Sequence, residues 1–96
     1  SITLLNNTLT ANCQGILIDK ESPSNNVIGN TALHNQWEGV GITSDTNTIK
    51  NNTVSDTGGI GISNTGSSNQ FYGNSSCGNE INCKGVPAEG GNNCCP

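Results

Sequence analysis

Residues 51–74 read "NNTVSDTGGIGISNTGSSNQFYGN". The sizeable apolar side chains are sparse: Val54, Ile60, Ile62, Phe71 and Tyr72. Gly and Asn fill much of the rest. Both are poor helix formers, Gly through its backbone entropy and Asn because its amide competes for nearby backbone groups. The run Gly59-Ile60-Gly61-Ile62 alternates as a strand with one inward face does. Alone, such a segment has too little apolar surface to build a core. It becomes stable where similar units stack and share one. The stretch therefore asks for a repeat.

Asn7, Asn30, Asn52 and Asn74 supply it, at spacings of 23, 22 and 22 residues. A hydroxyl residue follows each: Thr8, Thr31, Thr53 and Ser75. Three positions before each stands Leu4, Val27, Ile49 or Phe71, and two after stands Leu9, Ala32, Val54 or Ser76. Five before, in three units, lie Asn25, Asn47 and Asn69; five after lie Asn12, Asn35, Thr57 and Asn79. A second short motif then returns as GILI (15–18), GVGI (39–42), GIGI (59–62) and the degenerate EINC (80–83). A 22-residue unit of short strands and turns is expected to be one coil of a parallel β-solenoid. Coils then stack at ~4.8 Å, so each column piles into a ladder. Asn7, Asn30, Asn52 and Asn74 are the expected amide ladder.

The pattern N-x-[VIF]-x-x-N-[TS] with GIxI at this spacing resembles the right-handed parallel β-helix repeat family, the NosD-like and pectate-lyase-like solenoids. The resemblance runs from residue 1 to about 84. It implies an all-β, right-handed parallel β-helix of about four coils over residues 1–84. Beyond it, Pro87, Pro96 and three Gly make 85–96 an irregular, Cys-containing tail. The resemblance does not choose a function, because the fold carries lyases, adhesins, tailspikes and metal-maturation factors alike.

The composition narrows the field. Of 96 residues, three are Lys, none is Arg and seven are acidic, for a net charge of −4. Nucleic acid is therefore not an expected partner, since phosphates need basic neutralisation. No apolar run approaches the ~18 residues that span a bilayer. No signal-peptide pattern lies within these residues, so export is expected to rest on a segment outside them.

Cys13, Cys77, Cys83, Cys94 and Cys95 are many for so polar a chain. They lack zinc-site spacing and point to disulfides in an extracellular or cell-surface setting. Cys77 and Cys83 flank one turn and are a candidate local pair. Cys83 is expected in an inward column with Ile18, Ile42 and Ile62. Cys94 and Cys95 end the tail, and a bond from there to Cys13 of another copy would join bottom to top. Leu4 and Leu5 enter the repeat with nothing before them, so either more chain or a neighbouring molecule is expected to cover that end.

Other candidates are weaker. Trp37 is a candidate sugar-stacking platform, in a turn read as the longest: nine residues separate Asn30 from Gly39. His34 stands alone. The copper site that the resemblance implies for some members needs more His or Met ligands than one His and no Met provide. Asp19, Glu21, Asp45, Asp56, Glu80 and Glu89 fall at unlike columns, and Lys20, Lys50 and Lys84 lie in different turns. Neither calcium-assisted lyase chemistry nor a paired-carboxylate hydrolase is expected from them. The hydroxyl column Thr8–Thr31–Thr53–Ser75 has an irregular companion, Thr10–Leu33–Ser55–Cys77, which argues against an ice-binding face. The sequons at 6–8, 51–53 and 74–76 read more simply as turns.

The expectation is a non-enzymatic structural protein with no catalytic residue, metal or cofactor. It would form a surface appendage or filament by end-to-end stacking, locked by intermolecular disulfides. The alternative is a fragment of a larger β-helical carbohydrate-binding or carbohydrate-active protein.

Overall fold

The computed structural model describes residues 1–86 and 93–96. Among them are twelve short strands and no helix. The first coil holds β1 (Thr3–Leu5), β2 (Thr8–Thr10) and β3 (Gln14–Ile18). The second holds β4 (Asn26–Ile28), β5 (Thr31–Leu33) and β6 (Glu38–Ile42). The third holds β7 (Thr48–Lys50), β8 (Thr53–Ser55) and β9 (Ile60–Asn64). The fourth holds β10 (Gln70–Tyr72), β11 (Ser75–Cys77) and β12 (Ile81–Lys84). Each coil gives one strand to each of three parallel sheets, ordered β1-β4-β7-β10, β2-β5-β8-β11 and β3-β6-β9-β12. This is a β-solenoid of four turns.

Like lies over like. Leu4, Val27, Ile49 and Phe71 share one register column in the first sheet. Leu9, Ala32, Val54 and Ser76 share one in the second, and Ile16, Val40, Ile62 and Cys83 one in the third. These columns face one another and form the core, with Val27, Val40, Ile49 and Ile62 fully buried. The slim interior explains why 30% apolar residues suffice.

The third sheet corrects the expected register. Glu38 pairs with Ile60 and Val40 with Ile62. Gly61, rather than Gly59, therefore continues the column of Gly15 and Gly39. The column Gly15–Gly39–Gly61 lies where the third sheet turns in against the second. A Cβ on each would meet the second-sheet core residue of the next coil: Ala32, Val54 and Ser76 respectively. Cys83 accordingly stands over Ile62, Val40 and Ile16, and not over Ile18 and Ile42. The longest-turn reading fails with it. Nine residues separate Asn30 from Gly39, and nine also separate Asn52 from Gly61.

The corners follow one rule: a residue with positive φ is followed by an inward polar side chain. Between the first and second sheets the positive-φ residues are Asn6, Gly29, Asn51 and Gly73. Between the second and third they are Ala11, His34, Asp56 and Gly78, and before the first sheet Ser24, Thr46 and Ser68. The left-handed conformation costs a non-glycine residue roughly 1 kcal/mol. The amide ladders beside these corners offset it. Asn30 shows how: its backbone N–H donates to Asn52 Oδ1 at 2.9 Å, and its Nδ2 donates to the Leu4 carbonyl at 2.9 Å. Each amide thus clamps the coils on either side of it. Two further ladders, Asn25–Asn47–Asn69 and Asn12–Asn35–Thr57–Asn79, follow the other two corners.

Candidate functional site

The two ends of the column differ. At the N-terminal end, the outer edges of β1, β2 and β3 have no strand beyond them among the described residues. Ile2, Leu5 and Leu17 are exposed there. A cavity of about 250 Å³ opens at this end, lined by Ile2, Leu4, Leu17 and Ile18 with Asp19, Ser22 and Asn25. At the other end, residues 93–96 fold back over the fourth coil. Asn93 Oδ1 accepts from the Asn74 backbone N–H at 3.1 Å and from Asn74 Nδ2 at 2.8 Å. Asn93 Nδ2 donates to the Phe71 carbonyl at 2.9 Å. Asn93 is therefore a fifth rung of the Asn7–Asn30–Asn52–Asn74 ladder. The next residue, Cys94, bridges to Ser75 as a parallel partner. In the second ladder Asn82 plays the terminal part, accepting from the Asn79 backbone N–H at 3.0 Å.

The cysteines divide between these ends. Cys83 is bonded to Cys95, with Cα atoms 5.7 Å apart. This replaces the local Cys77–Cys83 pair anticipated from spacing: Cys83 lies on β12, and the returning tail brings Cys95 to it. Cys77 and Cys94 remain thiols, as does Cys13 in the first coil. Sγ of Cys77 lies 3.9 Å from Sγ of Cys94. Burial is not what shifts Cys94 most. Its hydrogen bond with Cys77, and then the charge of that neighbour, raise its thiol above the ordinary range.

A model of the NosD family, described as periplasmic copper-binding protein (NosD), matches residues 1–93. The chain belongs to that family. No curated protein and no solved structure matches it. The match spans every coil and reaches Asn93, in accord with a tail that completes the solenoid. A family described as periplasmic and a disulfide between Cys83 and Cys95 together fit a non-cytoplasmic location.

The other sequence candidates are scattered. Trp37 is 60% exposed. Beside its backbone in the next coil lie Gly58 and Gly59, where a Cβ would meet the carbonyls of Gln36 and Trp37. His34 Nδ1 is 3.6 Å from Asp56 Oδ2, both on exposed side chains at one corner column. Glu38 accepts from Gln14 Nε2 at 2.6 Å, and Asp45 accepts from the Ser67 N–H at 2.8 Å. Among the described residues, no three His, Cys, Asp or Glu converge as metal ligands. Glu89 lies outside the described residues. What sequence reasoning missed was Asn93. The signal was present, because Asn93-Cys94-Cys95 repeats the place of Asn74-Ser75-Ser76, but a spacing of 19 hid it from a 22-residue search.

Proposed function

We propose that this chain is a non-enzymatic structural β-helix, acting at the cell surface or beyond it, that assembles with copies of itself through its open first coil. The inequality of the two ends carries this reading. One end presents strand edges and the exposed side chains of Ile2, Leu5 and Leu17, while the other is covered in part by its own tail. Open strand edges bind further strands by backbone pairing. A head-to-tail filament has to seat the open coil on the tail of the next copy, or displace that tail. Two open coils meeting face to face need neither. Cys95, engaged by Cys83, is withdrawn from the covalent joint.

Light scattering across a concentration series, with electron microscopy of the same samples, tests assembly. Fibres or closed pairs are expected, and Leu5→Lys with Leu17→Lys should weaken them without unfolding the coil. A monomer at every concentration, with neither object in micrographs, would sink the reading.

One observation favours a second reading, a carbohydrate-binding part of a larger β-helical protein. Trp37 carries an exposed indole, whose face a sugar ring can stack on. Glycan-array binding abolished by Trp37→Ala would support it. Copper, which the family description names, finds no His- or Met-based ligand set here. The single His stands beside Asp56, Met is absent, and no three ligating side chains converge among the described residues.

A further inference from the structure

Four of the five cysteines lie at the C-terminal end, and two of them are joined. Four cysteines allow three connectivities. With Cys83 bonded to Cys95, one pairing remains, Cys77 with Cys94. Geometry has already brought these two together. Cys77 closes β11, and Cys94 is the parallel partner of Ser75 on that same strand. The Cys94 N–H donates to the Asn74 carbonyl at 2.8 Å, and the Ser76 N–H donates to the Cys94 carbonyl at 2.9 Å. Both side chains lie on the outer surface, with their sulfurs 3.9 Å apart. Cys13 is no internal competitor, because it lies three coil spacings away, or ~14 Å.

We propose that Cys77 and Cys94 form a second disulfide, so that the adjacent Cys94 and Cys95 tie the tail to two different sheets. Closing the bond brings the sulfurs together by about 2 Å. Side-chain rotation and a small slide of the terminal residues 94–96 supply that movement. The oxidant is a disulfide, either a small-molecule one such as oxidised glutathione or that of a thiol–disulfide oxidoreductase. One thiolate of the pair attacks it, forming a mixed disulfide and releasing one thiol. The second thiolate attacks the mixed disulfide at the protein sulfur and expels the other thiol. The two protein S–H bonds become one S–S bond, and the oxidant's S–S becomes two S–H. Cys94 holds its proton unusually well beside Cys77, so oxidation quickens as pH rises.

Each bond pins the tail to a different strand, Cys94 to β11 and Cys95 to β12. The fifth rung at Asn93 is then fixed in place. The inference does not depend on the assembly reading, although it removes Cys94 from any joint between copies and leaves Cys13 as the odd thiol.

The test is a thiol count. Protein incubated with oxidised glutathione, then denatured with excess N-ethylmaleimide, is weighed intact before and after reduction. One N-ethylmaleimide or glutathione adduct per chain is expected, at Cys13, rising to five N-ethylmaleimide adducts after reduction and a second alkylation. Cys94→Ser should show two adducts, at Cys13 and Cys77. The double variant Cys83→Ser with Cys95→Ser should retain one disulfide and one adduct. Three adducts in the oxidised native protein would overturn the proposal. So would a Cys13–Cys94 bond between chains, seen as a dimer that Cys13→Ser abolishes.

Discussion

A buried side-chain amide has two donors and two acceptor positions to satisfy, and Asn52 satisfies them all. Its Oδ1 accepts from the Asn30 N–H at 2.9 Å and from Asn30 Nδ2 at 3.1 Å. Its Nδ2 donates to the Val27 carbonyl at 2.8 Å and to Asn74 Oδ1 at 2.9 Å. Asn52→Ala would strand the Asn30 N–H away from water and remove the side-chain bonds to Val27 and Asn74. A loss of about 3 kcal/mol is expected in urea unfolding, since each orphaned group costs roughly 1–3 kcal/mol. Asn7 is exposed at the end of the same ladder and gives one side-chain bond, to Asn30 Oδ1. Asn7→Ala should cost about 0.5 kcal/mol. Thr57 is the opposite case. It interrupts the second ladder between Asn35 and Asn79, and its buried Oγ1 has no partner among the described residues. Thr57→Asn restores an acceptor for the Asn35 N–H and should raise stability by about 1 kcal/mol in the same measurement.

Strands and corners set the next scale. β6 holds two glycines with different duties. A Cβ on Gly39 would meet Val54 Cγ1 and lie 2.8 Å from the Gly61 carbonyl. A Cβ on Gly41 would lie 3.1 Å from Glu38 Oε1, the far end of a flexible side chain. Gly39→Ala should therefore destabilise by about 2 kcal/mol through overpacking, and Gly41→Ala should be close to neutral. Thermal unfolding of the two variants side by side checks this. The same glycines show where sequence reading stopped. The alternation of Gly59-Ile60-Gly61-Ile62 marked a strand correctly. A slide of two residues, however, keeps every side chain on its face. Only contact with Val54 and Ser76 decides which glycine sits at the corner.

At the scale of the whole molecule, the described column runs from a first coil to a fourth that the tail covers. The tail is secured by a bond between residues 12 apart in sequence, Cys83 and Cys95. A loop of this size contributes about 3 kcal/mol in the chain-entropy picture. Reduction should loosen the cap before the column. Hydrogen exchange should speed by about 100-fold at the Asn74 and Ser76 amides, which donate to Asn93 and Cys94. The Asn52 amide, bonded to Asn74 Oδ1, should change far less. Uniform acceleration along the chain would show instead that cap and column open as one unit.

The sequence by itself determined the solenoid, its period, the apolar columns of the first two sheets and the Asn7–Asn30–Asn52–Asn74 ladder. Stacked coils place identical chemistry at identical sites, so the fold is written as a repeat. The cap, the Cys83–Cys95 bond and the register of the third sheet were decided by tertiary structure alone. Those depend on where a non-repeating tail folds back, and on which glycine clears the neighbouring sheet. Both are contacts between residues that no period relates.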